Sequence, residues 1–105
     1  MNILDVMEMR KREDINGLIA AADDANVAVR AEAISSLGSM RISLAIDLLI
    51  SKLTNDSDPY VRSIAATALG SIGDARARSA LLNALENDTL EVSAAASKAL
   101  TALSD

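Results

Sequence analysis

The chain contains neither cysteine nor histidine. Without cysteine there is no disulfide and no thiol chemistry. Without histidine the commonest general base and the commonest transition-metal ligand are both missing. Aromatic residues are reduced to Tyr60 alone, which leaves no platform on which nucleic-acid bases could stack. Long apolar runs are also lacking. The longest, over 44–53, is interrupted by Asp47 and Lys52 and falls short of the roughly 20 residues of a membrane span. The N-terminus has no basic stretch leading into an apolar one, so it does not read as a secretory signal. A cytoplasmic protein with no membrane partner is the default expectation. Positive charge is in the minority, at a formal net charge of −5. The run Arg10-Lys11-Arg12 is followed at once by Glu13 and Asp14. It reads as a solvated helix face rather than a phosphate-contacting patch, and no nucleic-acid partner is expected.

What the chain does have is apolar residues of one kind. Half of its 105 residues are apolar, mostly Ala, Leu, Ile and Val, a mix that suits closely packed helices. Its length fits a single domain with a modest core. The organising signal is a segment that occurs three times. Asp24-Ala25-Asn26-Val27-Ala28-Val29-Arg30 opens one copy, and Asp56-Ser57-Asp58-Pro59-Tyr60-Val61-Arg62 opens the next, 32 positions on. Asp88-Thr89-Leu90-Glu91-Val92-Ser93 opens a third, one residue tighter. A period near 32 in a helical pattern is the signature of a solenoid.

In register, Asn26, Asp58 and Thr89 stand just before an apolar-periodic run. All three are strong N-cap residues, whose side-chain oxygen accepts a free amide of the first turn. Pro59 follows at the first helical position, where its missing N–H costs nothing. The spacing predicts first helices over 27–37, 59–69 and 90–103. Gly38 and Gly70 stand at their far ends and are expected to take the left-handed conformation that closes a helix. Second helices are expected over 42–53 and 74–85, and the same register extends backwards to a helix over 13–22. A short helix over 2–12 does not fit the repeat, as terminal units often do not. The reading is all-α: a right-handed α–α superhelix of about six helices. It divides into N-terminal capping helices (1–22), repeats over 23–54 and 55–86, and a C-terminal half repeat (87–105). Each hairpin must stack on its neighbours to bury its face.

The residues Asp56-Ser57-Asp58-Pro59-Tyr60-Val61-Arg62 and Ala65-Ala66-Thr67-Ala68-Leu69-Gly70-Ser71-Ile72-Gly73-Asp74 carry a resemblance. They are similar to the HEAT repeat family, and more narrowly to the short prokaryotic HEAT-like repeats of the phycobilin lyase type. The segment Arg12-Glu13-Asp14-Ile15-Asn16-Gly17-Leu18-Ile19 is similar to the start of small prokaryotic members. The resemblance covers roughly residues 13–103. It implies a scaffold, an adaptor or a lyase subunit, because fold alone does not choose among them. It also implies a ladder between adjacent units, mapped onto Asp24 with Arg30 and Asp56 with Arg62. Each pair lies at a helix start, where Asp suits the dipole and Arg can cross to the next loop. The third copy has Ser93 in place of the arginine, as suits a terminal copy.

Candidate chemistry is thin. Asn55-Asp56-Ser57-Asp58 is similar to part of a calcium loop but lacks the later glycine and bidentate Glu, so it reads as helix capping, as does Asp23-Asp24. A serine nucleophile needs an adjacent base and an orienting third group. Only Lys52 and Lys98 could serve, and both are expected on solvated faces. Gly70-Ser71-Ile72-Gly73 follows no strand and is not a phosphate loop. Met1, Met7, Met9 and Met40 form no stripe and read as packing or capping groups. No catalytic residue, metal ligand or cofactor is expected, and the chain reads as a non-enzyme.

The repeats disagree at their second helices. Leu44 and Leu48 align with Arg76 and Ala80, while Ile15 and Ile19 align with Asp47 and Ser51 and then with Ser79 and Asn83. The resemblance implies that second helices line the concave face. Ile15, Ile19, Leu44 and Leu48 would then form an apolar patch, with Arg76, Ser79 and Asn83 polar in the next unit. Exposed apolar patches usually mark an interaction site. Three alternatives follow: a surface for an unknown protein partner, a self-association surface, or a patch covered by the 2–12 helix through Ile3, Leu4, Met7 and Met9. The last helix also lacks a following partner, which allows a homodimer through that terminal helix.

Overall fold

The computed structural model describes residues 1–103. Among them are seven α-helices rather than about six: α1 (Ile3–Lys11), α2 (Ile15–Ala21), α3 (Val27–Ser39), α4 (Ile46–Asn55), α5 (Pro59–Ile72), α6 (Arg78–Asn87) and α7 (Leu90–Leu103). Short 3₁₀ turns at Ser43–Ala45 and Ala75–Ala77 lead into α4 and α6. The architecture is an α-solenoid of helical hairpins. Helices α1, α3, α5 and α7 form one layer and α2, α4 and α6 the other.

The starts of the first helices follow from their caps. Asn26 Oδ1 accepts the amides of Ala28 and Val29. Asp58 Oδ1 accepts that of Tyr60 and Thr89 Oγ1 that of Val92. At α1, Asn2 and Asp5 form a reciprocal capping box, which satisfies two amides that the helix cannot pair itself.

The glycines depart from expectation. Gly38 and Gly70 lie inside α3 and α5 rather than at a left-handed close. The left-handed position comes three residues later. It is Gly73 in one unit (φ 74°) and Arg41 in the other (φ 56°). Gly38 and Gly70 instead permit close approach. A Cβ added to Gly38 would lie 2.5 Å from Ala68 Cβ, and one on Gly70 would lie 2.9 Å from Ala99 Cα and Cβ. The sequence signal at both positions is therefore helix-to-helix spacing between successive first helices.

The core runs between the layers through Leu18, Ile34, Leu37, Leu49, Leu69 and Leu81, all fully buried. Packing differs between the layers. Helix α3 against α5, and α5 against α7, make the densest contacts in the molecule, whereas α4 meets α6 only sparsely. Helix α1 also corrects an expectation. It packs mainly on α2 and α3, with Val6 buried, and so takes the first-helix place of an N-terminal unit. Of the second helices it packs on α2 alone and does not cover Leu44; Ile3, Leu4 and Met7 remain exposed.

Candidate functional site

The positions singled out by disagreement between repeats fall on or beside the second helices. Leu44 sits in the 3₁₀ turn ahead of α4, and Arg76 occupies the same place ahead of α6. Leu44 is 78 % exposed. Ile15, Ile19 and Leu48 are only half-exposed and pack against the core, so the apolar part of this face that meets solvent centres on Leu44. Ser79 and Asn83 are exposed on α6, and Asn83 Oδ1 accepts a hydrogen bond from Asn87 Nδ2 at 2.9 Å. A small cleft of about 40 Å³ lies between α4 and α6, floored by Leu53, Ala80 and Ala84.

Arg76 is fixed by its own turn. Its amide donates to Asp74 Oδ1 at 2.8 Å, and its guanidinium donates to the same carboxylate at 3.2 and 3.1 Å. These bonds hold Asp74 below the usual carboxylate range. The arginine is raised above its ordinary value by Asp74 first, with a smaller contribution from Asp47 of the neighbouring unit. The result is a cation in a defined position, more than half exposed, at the place that exposed Leu44 takes in the preceding unit.

The arginines of the repeated segment do different work. The rungs run forward across units rather than within a copy. Arg30 Nε and Nη2 donate to Asp56 at 3.0 and 3.1 Å, and Arg62 Nε and Nη2 donate to Asp88 at 3.0 Å each. The same guanidinium also reaches back to the loop behind it, Arg30 to the carbonyls of Asp24 and Ala25 and Arg62 to that of Asp56. Each arginine thus ties the end of one hairpin to the start of the next. Burial opposes the charge of Asp56, but Arg30 and the Asp58 amide outweigh it and hold the carboxyl low. Asp88 is held low chiefly by Arg62. Asp24 has no such arginine and accepts only the Asn26 amide. Ser93 donates to the Leu85 carbonyl at 2.8 Å, back across the loop between α6 and α7.

Asp88 was missed as a rung, although the spacing carried the signal. Positions 24, 56 and 88 keep the period of 32 even though the third copy contracts just after its Asp. Less visible was the contact of Ser63 Oγ with Glu91 Oε1 at 3.1 Å, because nothing in the spacing marks it. Among the described residues no group of three or more metal-ligating side chains comes together. No described helix is long and apolar enough to cross a membrane.

Comparison with known proteins agrees with this geometry. The family model for HEAT repeats matches residues 15–103. No curated protein matches the chain. Among solved structures, the chain is similar to one in the complex of CpcE and CpcF of phycocyanin lyase from Nostoc sp. PCC7120. The two share 33% identity and a TM-score of 0.78 over 84% of this chain. This chain spans only 36% of that one.

Proposed function

The chain belongs to the HEAT repeat family, and from that premise we propose that it is a non-catalytic protein-binding scaffold. Its binding face would be the one lined by the second helices, with Leu44, Leu48, Arg76, Ser79 and Asn83 as contact residues and Ile15 and Ile19 extending it. The observation that carries this reading is the pairing of exposed Leu44 with pinned, exposed Arg76 at equivalent places in adjacent units. An exposed apolar side chain and a pre-oriented guanidinium presented by adjacent units have the composition of interface anchors. Neither residue has a packing or laddering role that would otherwise explain it.

The test is capture of partners by the tagged chain from extracts of its source organism, followed by the Leu44→Asp, Arg76→Glu double variant. Both side chains are exposed, so helicity should be unchanged while the captured partner is lost. Retention of the partner at unchanged helicity would overturn the assignment.

The likeness to a chain of the phycocyanin lyase complex favours one second reading, a subunit or fragment of a bilin lyase-type enzyme. Mixing the purified chain with bilin and an apoprotein decides it. Absence of bilin binding and ligation, alone and with a partner subunit, ends that reading. A third possibility, a homo-oligomer through the repeat ends or the Leu44 face, is tested by light scattering; a monomer throughout the micromolar range removes it.

A further inference from the structure

The most exposed apolar residues are not confined to the second-helix face. Helices α1, α3, α5 and α7 all begin on one edge of the solenoid, as the bonds between their starts show. A groove joins Ile3 and Leu4 of α1 to Asn26 and Ala28 of α3. The two rungs join the start of α5 to α3 and the start of α7 to α5. Each helix places an apolar side chain in its first turn there: Leu4, Val27, Tyr60 and Leu90 in order. Leu4 is 73 % exposed, Tyr60 50 % and Leu90 91 %, whereas Val27 is partly buried and packs against the core.

Charge is concentrated on the same edge. The second helices end there, so it also carries Asp23, Lys52 and Glu86. Its three cations are all committed: Arg30 to Asp56, Arg62 to Asp88 and Lys52 to Asp23. Five further carboxylates on this edge form no ion pair among the described residues: Asp5, Asp24, Asp58, Glu86 and Glu91; Asp24 and Asp58 act on Arg30 only at longer range. Three of the five already accept backbone amides at the helix starts, Asp5 from Asn2, Asp24 from Asn26 and Asp58 from Tyr60, but an amide leaves the carboxylate's charge in place.

We infer that this edge is a docking surface for a basic amphipathic helix of a protein partner, distinct from the second-helix face. The occupant follows from pitch and sign. Packed helices stand roughly 8–10 Å apart, so the apolar row has about that repeat. A helix rises about 10.5 Å in seven residues, so apolar side chains at i, i+7 and i+14 meet successive first-turn groups. Lysines or arginines flanking that stripe reach the five carboxylates that form no ion pair, which supply orientation and a salt-dependent on-rate. The edge spans three helix spacings, which a helix of roughly 18–20 residues covers.

The probe is a synthetic helical peptide with leucine every seventh residue, flanking lysines and an alanine background. Its control carries glutamate for each lysine. Tyr60, the sole aromatic, reports binding by its emission, and ¹⁵N-resolved shifts locate it. The lysine peptide should bind with shifts confined to the first turns of α1, α3, α5 and α7, and should weaken several-fold from 50 to 300 mM salt. Leu4→Ser with Leu90→Ser should weaken it about tenfold, and both residues are so exposed that the core is untouched. Leu44→Asp with Arg76→Glu should leave it unchanged, which separates this surface from the second-helix one. The inference is overturned if the glutamate peptide binds equally, if the serine variant binds as well as the parent, or if the shifts fall on α4 and α6. Dimerisation of the chain alone that the serine variant abolishes would also overturn it, by assigning the edge to a second copy.

Discussion

Replacing Gly38 with alanine sets two well-measured effects against each other. Inside a helix, glycine to alanine normally stabilises by about 1 kcal/mol, because alanine loses less backbone freedom on folding. Gly38 is the penultimate residue of α3 and keeps helical backbone, so propensity alone still predicts a somewhat more stable protein. The packing predicts the reverse. The new Cβ would sit 2.5 Å from Ala68 Cβ and 2.6 Å from Ala68 Cα. Carbon atoms prefer separations of about 3.5–4.0 Å, so α3 and α5 must part by roughly 1 Å. The nearest atoms include backbone, so no rotamer change relieves the contact. Overpacking of this kind costs about 1–3 kcal/mol, and parting these two helices also stretches the Arg30–Asp56 rung between them. The net expectation is destabilisation by about 1–2 kcal/mol, or a fall in Tm of roughly 5–15 °C for a domain of this size. Urea and thermal unfolding followed by circular dichroism at 222 nm measure it. Ala68→Gly in the Gly38→Ala background should recover part of the loss, since it removes one of the two nearest atoms. A Gly38→Ala variant as stable as the parent, or more so, would refute the close-approach argument.

Arg30→Ala should cost about 2–4 kcal/mol, because it leaves the Asp56 carboxylate, 4 % exposed, without its cation. Arg62→Ala should cost less, since Asp88 is 17 % exposed; equal losses on denaturant unfolding would refute the burial argument. Asp56 and Asp88 both have depressed folded-state values. Their stabilisation is therefore fully present above the ordinary Asp value of about 3.9 and is lost as pH falls through the lower folded values. The Tm should decline below about pH 4, and an Arg30→Ala variant should show a shallower decline. Arg41→Gly should stabilise by about 0.5–1 kcal/mol, because a non-glycine residue at φ 56° carries strain that glycine relieves; an unchanged urea midpoint would count against it.

The helices were legible because their caps and apolar spacing are local. Asn26, Asp58 and Thr89 each announce a start that needs no tertiary information. The glycines show where local reasoning ends. Gly38 and Gly70 sit near helix ends, and a capping role is the usual one, yet the chain continues to Arg41 and Gly73 before it turns. Only the neighbouring helix, through Ala68 and Ala99, reveals what those glycines are for. The fate of helix α1 was equally hidden. Its apolar residues suit packing anywhere, and Val6 alone decides which face goes inward. The candidate face was half legible. Disagreement between repeats pointed to Leu44 and Arg76, but periodicity could not say that Ile15, Ile19 and Leu48 would be drawn down against the core. The first-turn edge is invisible without the fold, because Leu4, Tyr60 and Leu90 become neighbours only when the units stack.

The unequal packing of the two layers has a mechanical consequence. Both the Gly–Ala contacts and the Arg–Asp rungs belong to the first-helix layer, so that layer resists stretching. Helices α4 and α6 touch sparsely and share no ion pair among the described residues; the Lys52–Asp23 pair ties α4 only to the loop after α2. Bending that spreads or closes α4 against α6 therefore meets little resistance, while the same displacement of α3 against α5 would break paired charges. The solenoid behaves as a stiff sheet with a compliant backing. The face with the Leu44 and Arg76 pair can change its spacing to fit a partner, and the first-turn edge keeps a fixed ruler of side chains.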